Sequence, residues 1–522
     1  MRCVFNGGDT QVPQFDVHVA AKLRRLSCDP TPTVLDLFSG CGGFSLGFHS
    51  AGHRLIGAVE VDEHAARSHA ANFFADDSLH AKNHDITCLD PLEFVGSLAP
   101  GADPRQAVDI LIGGPPCQAF ARIGRAKLRE VLDHPEAFQL DPRVGLYESY
   151  LHFVRELRPV ALVMENVIDI LNHAGRNIPE EICSVLEELG YACRYTTLNA
   201  VHYGVPQMRE RFFLMGTHQA LGVTPSFPEP THFWKLPSGY DGARNIAFQT
   251  LGRSASERYV RVPGRGTQRA VTAEEALQDL PPFTRHKTGQ LRKGPARYDT
   301  LARYREDVEP TEYGRLMRMW PGFTSQEGVY DHLIRFLPRD YDIFERMRPG
   351  DQYPEAWQIG LELREHRLAQ ARDDVKARFS ATDPRRQAAL ADLEPGGVEH
   401  ARIEKATLPP YDPGKFPNKW RKMEPDRPAR TLMAHLGKDS YTHIHYDDSE
   451  KRTISIREAA RLQSFPDGFV FRGAMNPAFR QIGNAVPPLL ARALGEELLR
   501  IIRGGLQKAT AGSDLREMAL VP

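Results

Sequence analysis

Cys117 sits in "LIGGPPCQAF" (111–120), where an apolar run ends in two glycines and two prolines before the sulfur. The residue before a proline is pushed toward extended backbone, so Gly114 and Pro115 prolong the strand direction stiffly and hold Cys117 beyond the strand end. A thiolate is a soft nucleophile, already a few per cent populated near neutral pH. A lone cysteine is otherwise a small buried hydrophobe, and that alternative stands beside the catalytic one. "MENV" carries Glu165 and Asn166 at the end of another apolar run. A carboxylate there needs a partner: a ligand ring with donors would serve, and a raised pKa would let it act as an acid. A helix-capping Glu/Asn pair is the plainer alternative. In "VPQMRERFFLMG", Gln207, Arg209 and Arg211 enter a strand. Arginines two apart share a face, turned either to the active edge or to solvent.

A second group suits a cofactor. In "DLFSGCGGFSLGF", Phe38 precedes Gly40, Gly42 and Gly43, which let the backbone turn tightly and approach a ligand ahead of a helix N-terminus. Glu60 ends the second expected strand, where a doubly wound nucleotide site places a carboxylate for ribose hydroxyls. The spacing is not G-x-G-x-x-G and no P-loop lysine follows, which favours a smaller adenosine-type cofactor. A tight turn with a surface glutamate is the competing explanation.

These residues need a sheet to position them. Apolar runs at 33–40, 53–62, 107–114, 160–167 and 211–217 read as strands. Helical stretches at 62–73, 145–159 and 177–190 lie among them. Continuous apolar strands alternating with helices predict a mainly parallel α/β sheet covered on both faces. From 218 to 426 the chain is rich in Pro, Gly and Arg with weak periodicity, apart from a solvent-facing helix expected at 356–379. A strand end and helix at 453–465 and a long amphipathic helix at 485–502 restore the α/β pattern. The division is an N-terminal extension (1–30, with a short helix near 17–26), a catalytic domain (31–217), an insertion (218–426), the returning catalytic part (427–505) and a tail (506–522).

The chain has 522 residues, 41% hydrophobic and 25% charged, which fits a soluble globular protein. No apolar run approaches the ~18 residues of a membrane span, and no signal peptide is evident at the N-terminus. The expected compartment is the cytoplasm. Seven scattered cysteines without a C-x-x-C pair argue against a disulfide framework or a zinc site. Net charge is -1, so any polyanion site must come from local clustering. Residues 253–305 supply one: Arg253, Arg258, Arg261, Arg265, Arg269, Arg285, Lys287, Arg292, Lys293, Arg297, Arg303 and Arg305, with Tyr259, Tyr298 and Tyr304 between them.

In order, "DLFSGCGGFSLGF", Glu60, "HDIT" at Asp85, "GGPPCQAF", "ENV", "QMRER", "RPARTLMAH" and "RQIGNAVPP" resemble the DNA cytosine-5 methyltransferases. The likeness spans about 33–217 and 427–502. It implies a Rossmann-like fold with an inserted target-recognition domain at 218–426, double-stranded DNA as partner and S-adenosylmethionine as cofactor. It further implies that Cys117 bonds carbon 6 of a flipped cytosine, with Glu165 on the exocyclic amine and ring nitrogen 3 and Arg211 on the carbonyl oxygen. Asn166 would brace the cysteine loop, while Arg209 and Gln207 would support the pocket and the phosphates. Cofactor contacts fall on Phe38, Gly40, Glu60, Val61, Asp85, Ile86, Pro116 and Asn484. Val61 stands where the family often has a bulkier residue, and Ala121 replaces a common serine. The segment 121–143, with Arg122, Arg125, Lys127 and Arg129, reads as a closing loop or a basic solvated one. A monomeric modification enzyme beside a nuclease is the expected context. The rivals are a tRNA cytosine-5 methyltransferase, disfavoured by the long insertion, and a catalytically silent DNA-binding subunit.

Overall fold

The structure, a computed structural model, describes residues 16–75, 77–116, 145–173, 175–248, 257–262, 266–291, 300–410, 414, 419–438 and 440–511. Its centre is a six-stranded sheet built from β1 (Thr33–Leu37), β2 (Arg54–Val59), β3 (Ile110–Gly113), β4 (Ala161–Asn166), β5 (Tyr191–Asn199) and β7 (Glu210–His218), in the order β2-β1-β3-β4-β7-β5. A two-residue strand, β6 (Gln207–Met208), lies outside it. β1 and β3 are buried along their whole length, as strands covered on both faces must be.

Register explains why distant residues share one edge. β1 pairs in parallel with β2 and β3, placing Leu37 opposite Val59 and Gly113, and β3 places Gly113 opposite Met164 of β4. The residues that follow, Phe38, Glu60 and Gly114, therefore leave the sheet at one rim, where Glu165 stands near the end of β4. β7 runs antiparallel to β4, with Phe212 opposite Asn166. Its amino end, and hence Arg211, comes to the same rim. The apolar pattern predicts a strand at 211–217 but carries no direction. It also misses β5, which pairs antiparallel with β7 and whose apolar run is interrupted by Arg194, Thr196 and Thr197.

Helices α1 (Val17–Cys28), α2 (Gly43–Ser50) and α3 (Glu63–Phe73) belong to the same unit. α1 docks by a buried lysine: Lys22 Nζ donates to Leu157 O (2.7 Å) and Arg158 O (2.9 Å), capping the helix Gly145–Leu157. The closing helix Pro488–Ala511 packs on α2, where a Cβ at Gly47 would stand 2.3 Å from that of Ala491.

The stretch 218–426 is more helical than its weak periodicity suggests, with helices at Ala273–Leu277, Glu312–Arg318, Tyr353–Arg378, Pro384–Asp392 and Val398–Thr407. No strand forms at 453–455; Thr453 makes only an isolated bridge with Ile444 before the helix Ile456–Leu462. Residues 273–334 and 423–485 bury most of their apolar side chains in one common cluster, while Tyr441 and Ile444 join another with Trp420.

Candidate active site

A cleft of about 720 Å³ lies at the carboxyl edge of β1–β4, where open α/β sheets bind ligands. Phe38, Gly40, Glu60, Val61, Asp85, Ile86, Pro116, Glu165, Asn166, Arg209, Arg211 and Asn484 all line it. Cys117 and the segment 121–143 lie outside the described residues, so Pro116, on the cleft wall, is the last described residue before them.

At one end the loop after β1 is tightly wound. Phe38 has φ +60 and Gly40 φ +55, and holding a phenylalanine there costs about 1–3 kcal/mol that surrounding contacts must offset. Gly40 N donates to Glu60 Oε2 and Asp62 N to Glu60 Oε1, both at 2.8 Å. Each oxygen keeps a lone pair for a ligand hydroxyl. Burial raises the Glu60 pKa above the ordinary carboxylate value, against those two donors. Asp85 accepts from Thr87 N and Oγ1 at 3.0 and 2.7 Å, and Val61 is 62% exposed. An adenosine with hydroxyls for Glu60 fits this end.

Gly42 and Gly43 do not line the cleft, contrary to the cofactor-contact expectation. A Cβ on Gly42 (φ +101) would meet the Phe73 ring at 2.5 Å, and one on Gly43 the Val486 carbonyl oxygen at 2.3 Å. Both are glycine because α2 is clasped between α3 and the loop before Pro488.

At the other end Arg211 Nε lies 3.0 Å from Glu165 Oε1, with both side chains largely buried. Burial dominates and pushes the Glu165 pKa upward, while Arg211 and Arg209 oppose it. Gly114 makes room: a Cβ there would stand 3.1 Å from Glu165 Oε2. Asn166 Nδ2 donates to Pro115 O at 2.8 Å, and its Oδ1 accepts from Val167 N at 2.9 Å. That ties the end of β4 to the loop that continues into Cys117.

Residues 32–289 and 363–500 match the family of C-5 cytosine-specific DNA methylases. M.OihORF3336P of Oceanobacillus iheyensis, which carries a provisional type II methyltransferase name, is 36% identical over 91% of this chain and 96% of its own length. The type II methyltransferase M.AgeI of Thalassovita gelatinovora is 33% identical over 89% of this chain and 98% of its own. This chain belongs to the C-5 cytosine-specific DNA methylases. It is an enzyme that methylates carbon 5 of cytosine in DNA with S-adenosylmethionine as donor. A solved prophage-encoded DNA modification methyltransferase of E. coli, provisionally named, shares the fold at TM-score 0.53 and 20% identity, over 91% of this chain and all of that one.

In this methylase Arg209 and Gln207 face inward rather than toward phosphates. Arg209 is 1% exposed and donates to Leu432 O (2.9 Å) and Gly483 O (3.0 Å). Gln207, fully buried, donates to Leu462 O and accepts from Leu432 N. Three of the twelve cations of the basic stretch pair with carboxylates of this chain. Arg258 pairs with Glu180 and Glu187, Arg269 with Glu275 and Arg305 with Asp307. Tyr259 packs on Tyr195, and Tyr304 is buried, its hydroxyl donating to Asp467. Arg253, Arg265, Arg292, Lys293, Arg297 and Tyr298 fall outside the described residues.

Several cleft residues escape the sequence reading, Asp36 and Met433 among them. Asp36, 1% exposed in β1, lines the cleft and accepts from Ser45 Oγ at 2.6 Å. Its Oδ1 has no hydrogen-bond partner among the described residues, and burial raises its pKa to about 7. A carboxylate inside the apolar run "TVLDL" was the available signal. Among the described residues no helix is long and apolar enough to cross a membrane.

Proposed function

We propose that this methylase modifies cytosine within one specific double-stranded DNA sequence, through a transient bond from Cys117 to carbon 6 of a base swung out of the helix. The supporting observation is the juxtaposition of Glu165 and Arg211, 3.0 Å apart, beside the Asn166–Pro115 bond that steadies the lead to Cys117. A base inside a duplex is out of reach of such a recessed pair, and extruding it is how enzymes work on duplex bases. As the Cys117 thiolate adds, electron density moves toward ring nitrogen 3 and the carbonyl oxygen. Glu165, its proton favoured by burial, donates to nitrogen 3 and orients the exocyclic amine. Arg211 neutralises the carbonyl oxygen. The cofactor supplies an electrophilic methyl group to carbon 5. Loss of the carbon 5 proton to solvent then expels the thiolate, and return of the nitrogen 3 proton to Glu165 restores the neutral ring and the acid. Phe38, Gly40, Glu60, Val61, Asp85, Ile86, Pro116 and Asn484 hold the cofactor, with Glu60 on the ribose hydroxyls and Asp85 on the adenine amino group.

We assign target recognition to residues 218–426. The type II methyltransferase names of the relatives support a host-DNA modification role, which we assign to a monomer acting in the cytoplasm beside a cognate nuclease. Bisulfite sequencing of DNA from cells expressing the protein gives the target site. Duplex carrying 5-fluorocytosine at that site then traps the enzyme, and the crosslinked peptide should contain Cys117. Cys117→Ala should abolish turnover yet leave cofactor affinity within a few-fold. An adduct elsewhere, or none with an active enzyme, refutes the role of Cys117. Methyl transfer to tRNA but not to duplex DNA refutes the substrate.

A further inference from the structure

The segment that returns from the insertion is fastened to the catalytic strands over a short, continuous run. Ala429 N donates to Pro206 O at 2.9 Å, and Ala429–Arg430 pairs in parallel with β6. Thr431 Oγ1 donates to Met208 O at 2.7 Å. Leu432 is held from both sides, its N–H by Gln207 Oε1 at 2.8 Å and its carbonyl by Arg209 Nη1 at 2.9 Å. The turn beyond is packed backbone to backbone, since a Cβ on Gly483 would come within 2.5 Å of Met433 O. Leu432 and Leu436 are buried, at 0% and 1% exposure.

Met433, between these anchors, is 45% exposed and lines the cleft. Single apolar residues on a surface are ordinary. This one differs in being presented on an immobilised turn in the wall of the active cleft. It is also tied through Leu432 to the strand that delivers Arg211. Among the described residues the other large apolar side chain exposed in the cleft, that of Val61, lies beside Glu60 at the cofactor end, while Pro116 and Ala434, also exposed there, are small. A flexible thioether suits a contact that must adapt to a stacked aromatic surface.

We propose that Met433 packs against the DNA where the target cytosine has left the helix, covering the apolar base face that extrusion exposes and thereby holding the nucleotide in the cleft. The proposal rests on the base-extrusion reading above. Extrusion costs unpairing and unstacking, and least when the base is already unpaired. Apolar side chains set against or between base steps are a recurrent way for proteins to offset such a cost.

The test uses the full-length enzyme and two duplexes containing the site found by bisulfite sequencing. One has the target cytosine paired with guanine, and the other has it opposite an abasic position. For Met433→Ala, kcat/KM should fall about tenfold on the paired duplex, the scale of losing one buried methionine contact. On the abasic duplex it should return to within about twofold of wild type, with cofactor affinity and melting temperature unchanged. Met433→Leu, which keeps the apolar bulk, should stay near wild type on both. A Met433→Ala enzyme equally impaired on the two duplexes, or unimpaired on the paired one, overturns the proposal. So does a Met433→Leu enzyme as impaired as Met433→Ala. A wild-type enzyme that methylates neither duplex overturns the underlying reading instead.

Discussion

Replacing Asp36 by asparagine should make this methylase more stable at pH 8 while lowering its activity. The Asp36 carboxyl is buried beneath the cleft with Ser45 Oγ as its hydrogen-bond donor. Burial, with a smaller contribution from Glu60, moves its pKa from an ordinary 3.8 to about 7. At about 1.4 kcal/mol per tenfold change in proton affinity, the ionised form costs the fold about 4 kcal/mol. Between pH 4 and 7 the folded protein keeps a proton that the unfolded chain has released, so stability falls as pH rises through this window. Above pH 7 the cost is fully present; below pH 4 it is absent, because both states are protonated. Asparagine retains an acceptor for Ser45 and carries no charge.

For a chain of 522 residues, an unfolding entropy of about 2 cal/mol/K per residue converts 4 kcal/mol into a rise of about 4 °C if the protein melts as one unit. Thermal melts of both proteins from pH 5 to 8 measure it. The gap should be widest at pH 8 and narrow toward pH 5. A gap of zero or of opposite sign at pH 8, or one constant across the range, would refute the burial argument. Methyl transfer should fall in the same variant, because Asp36 lines the cofactor cleft and a destabilising buried charge is commonly retained for function.

Glu165→Gln keeps the shape of the pocket but removes the acid. Methyl transfer should drop by at least about 100-fold, with cofactor affinity within a few-fold by calorimetry. Gly43→Ala places a Cβ 2.3 Å from the Val486 carbonyl oxygen, a backbone clash that should cost about 1–3 kcal/mol in denaturant melts. Since Gly43 does not line the cleft, the folded fraction should bind cofactor with near-normal affinity.

Most of the site was legible because its chemistry sits on strand ends, and strand ends are where apolar runs stop. Glu60, Gly114 and Glu165 each follow such a run, and parallel pairing alone brings them to one rim. Direction was not legible: the hydrophobicity of "RFFLMGT" is the same whichever way the strand runs. Yet it is the antiparallel course of β7 that carries Arg211 to Glu165. Nor is the pairing of Arg258, in the basic stretch 253–305, legible, for a related reason. Composition counts cations, whereas the partners of Arg258 are Glu180 and Glu187 on the helix Ile178–Glu188, far away in sequence. Gly42 and Gly43 looked like ligand contacts because a glycine needed for a close helix approach and one needed for a close ligand approach are identical in sequence.

The same distance effect shows how residues 273–334 keep their place against the helix Ile456–Leu462. Arg461, fully buried in the helix Ile456–Leu462, pairs with Asp279, far away in sequence, and with Asp467 from its own segment, at 2.6 Å each. Arg318 pairs with Asp279 as well and lies 3.7 Å over the ring of Tyr304, whose hydroxyl reaches Asp467. Buried ion pairs seldom stabilise a fold beyond what apolar side chains of the same volume would give, but stranding one partner is costly. Residues 273–334 can therefore slide or rotate against Ile456–Leu462 only by leaving a buried charge unpaired, which makes their register far more specific than apolar packing alone would. The same helix segment ends at Leu462, whose carbonyl accepts from Gln207, and Gln207 in turn holds Leu432. Residues 273–334, the turn bearing Met433 and the short strand β6 that leads into Arg211 are thus positioned by one connected set of buried polar contacts.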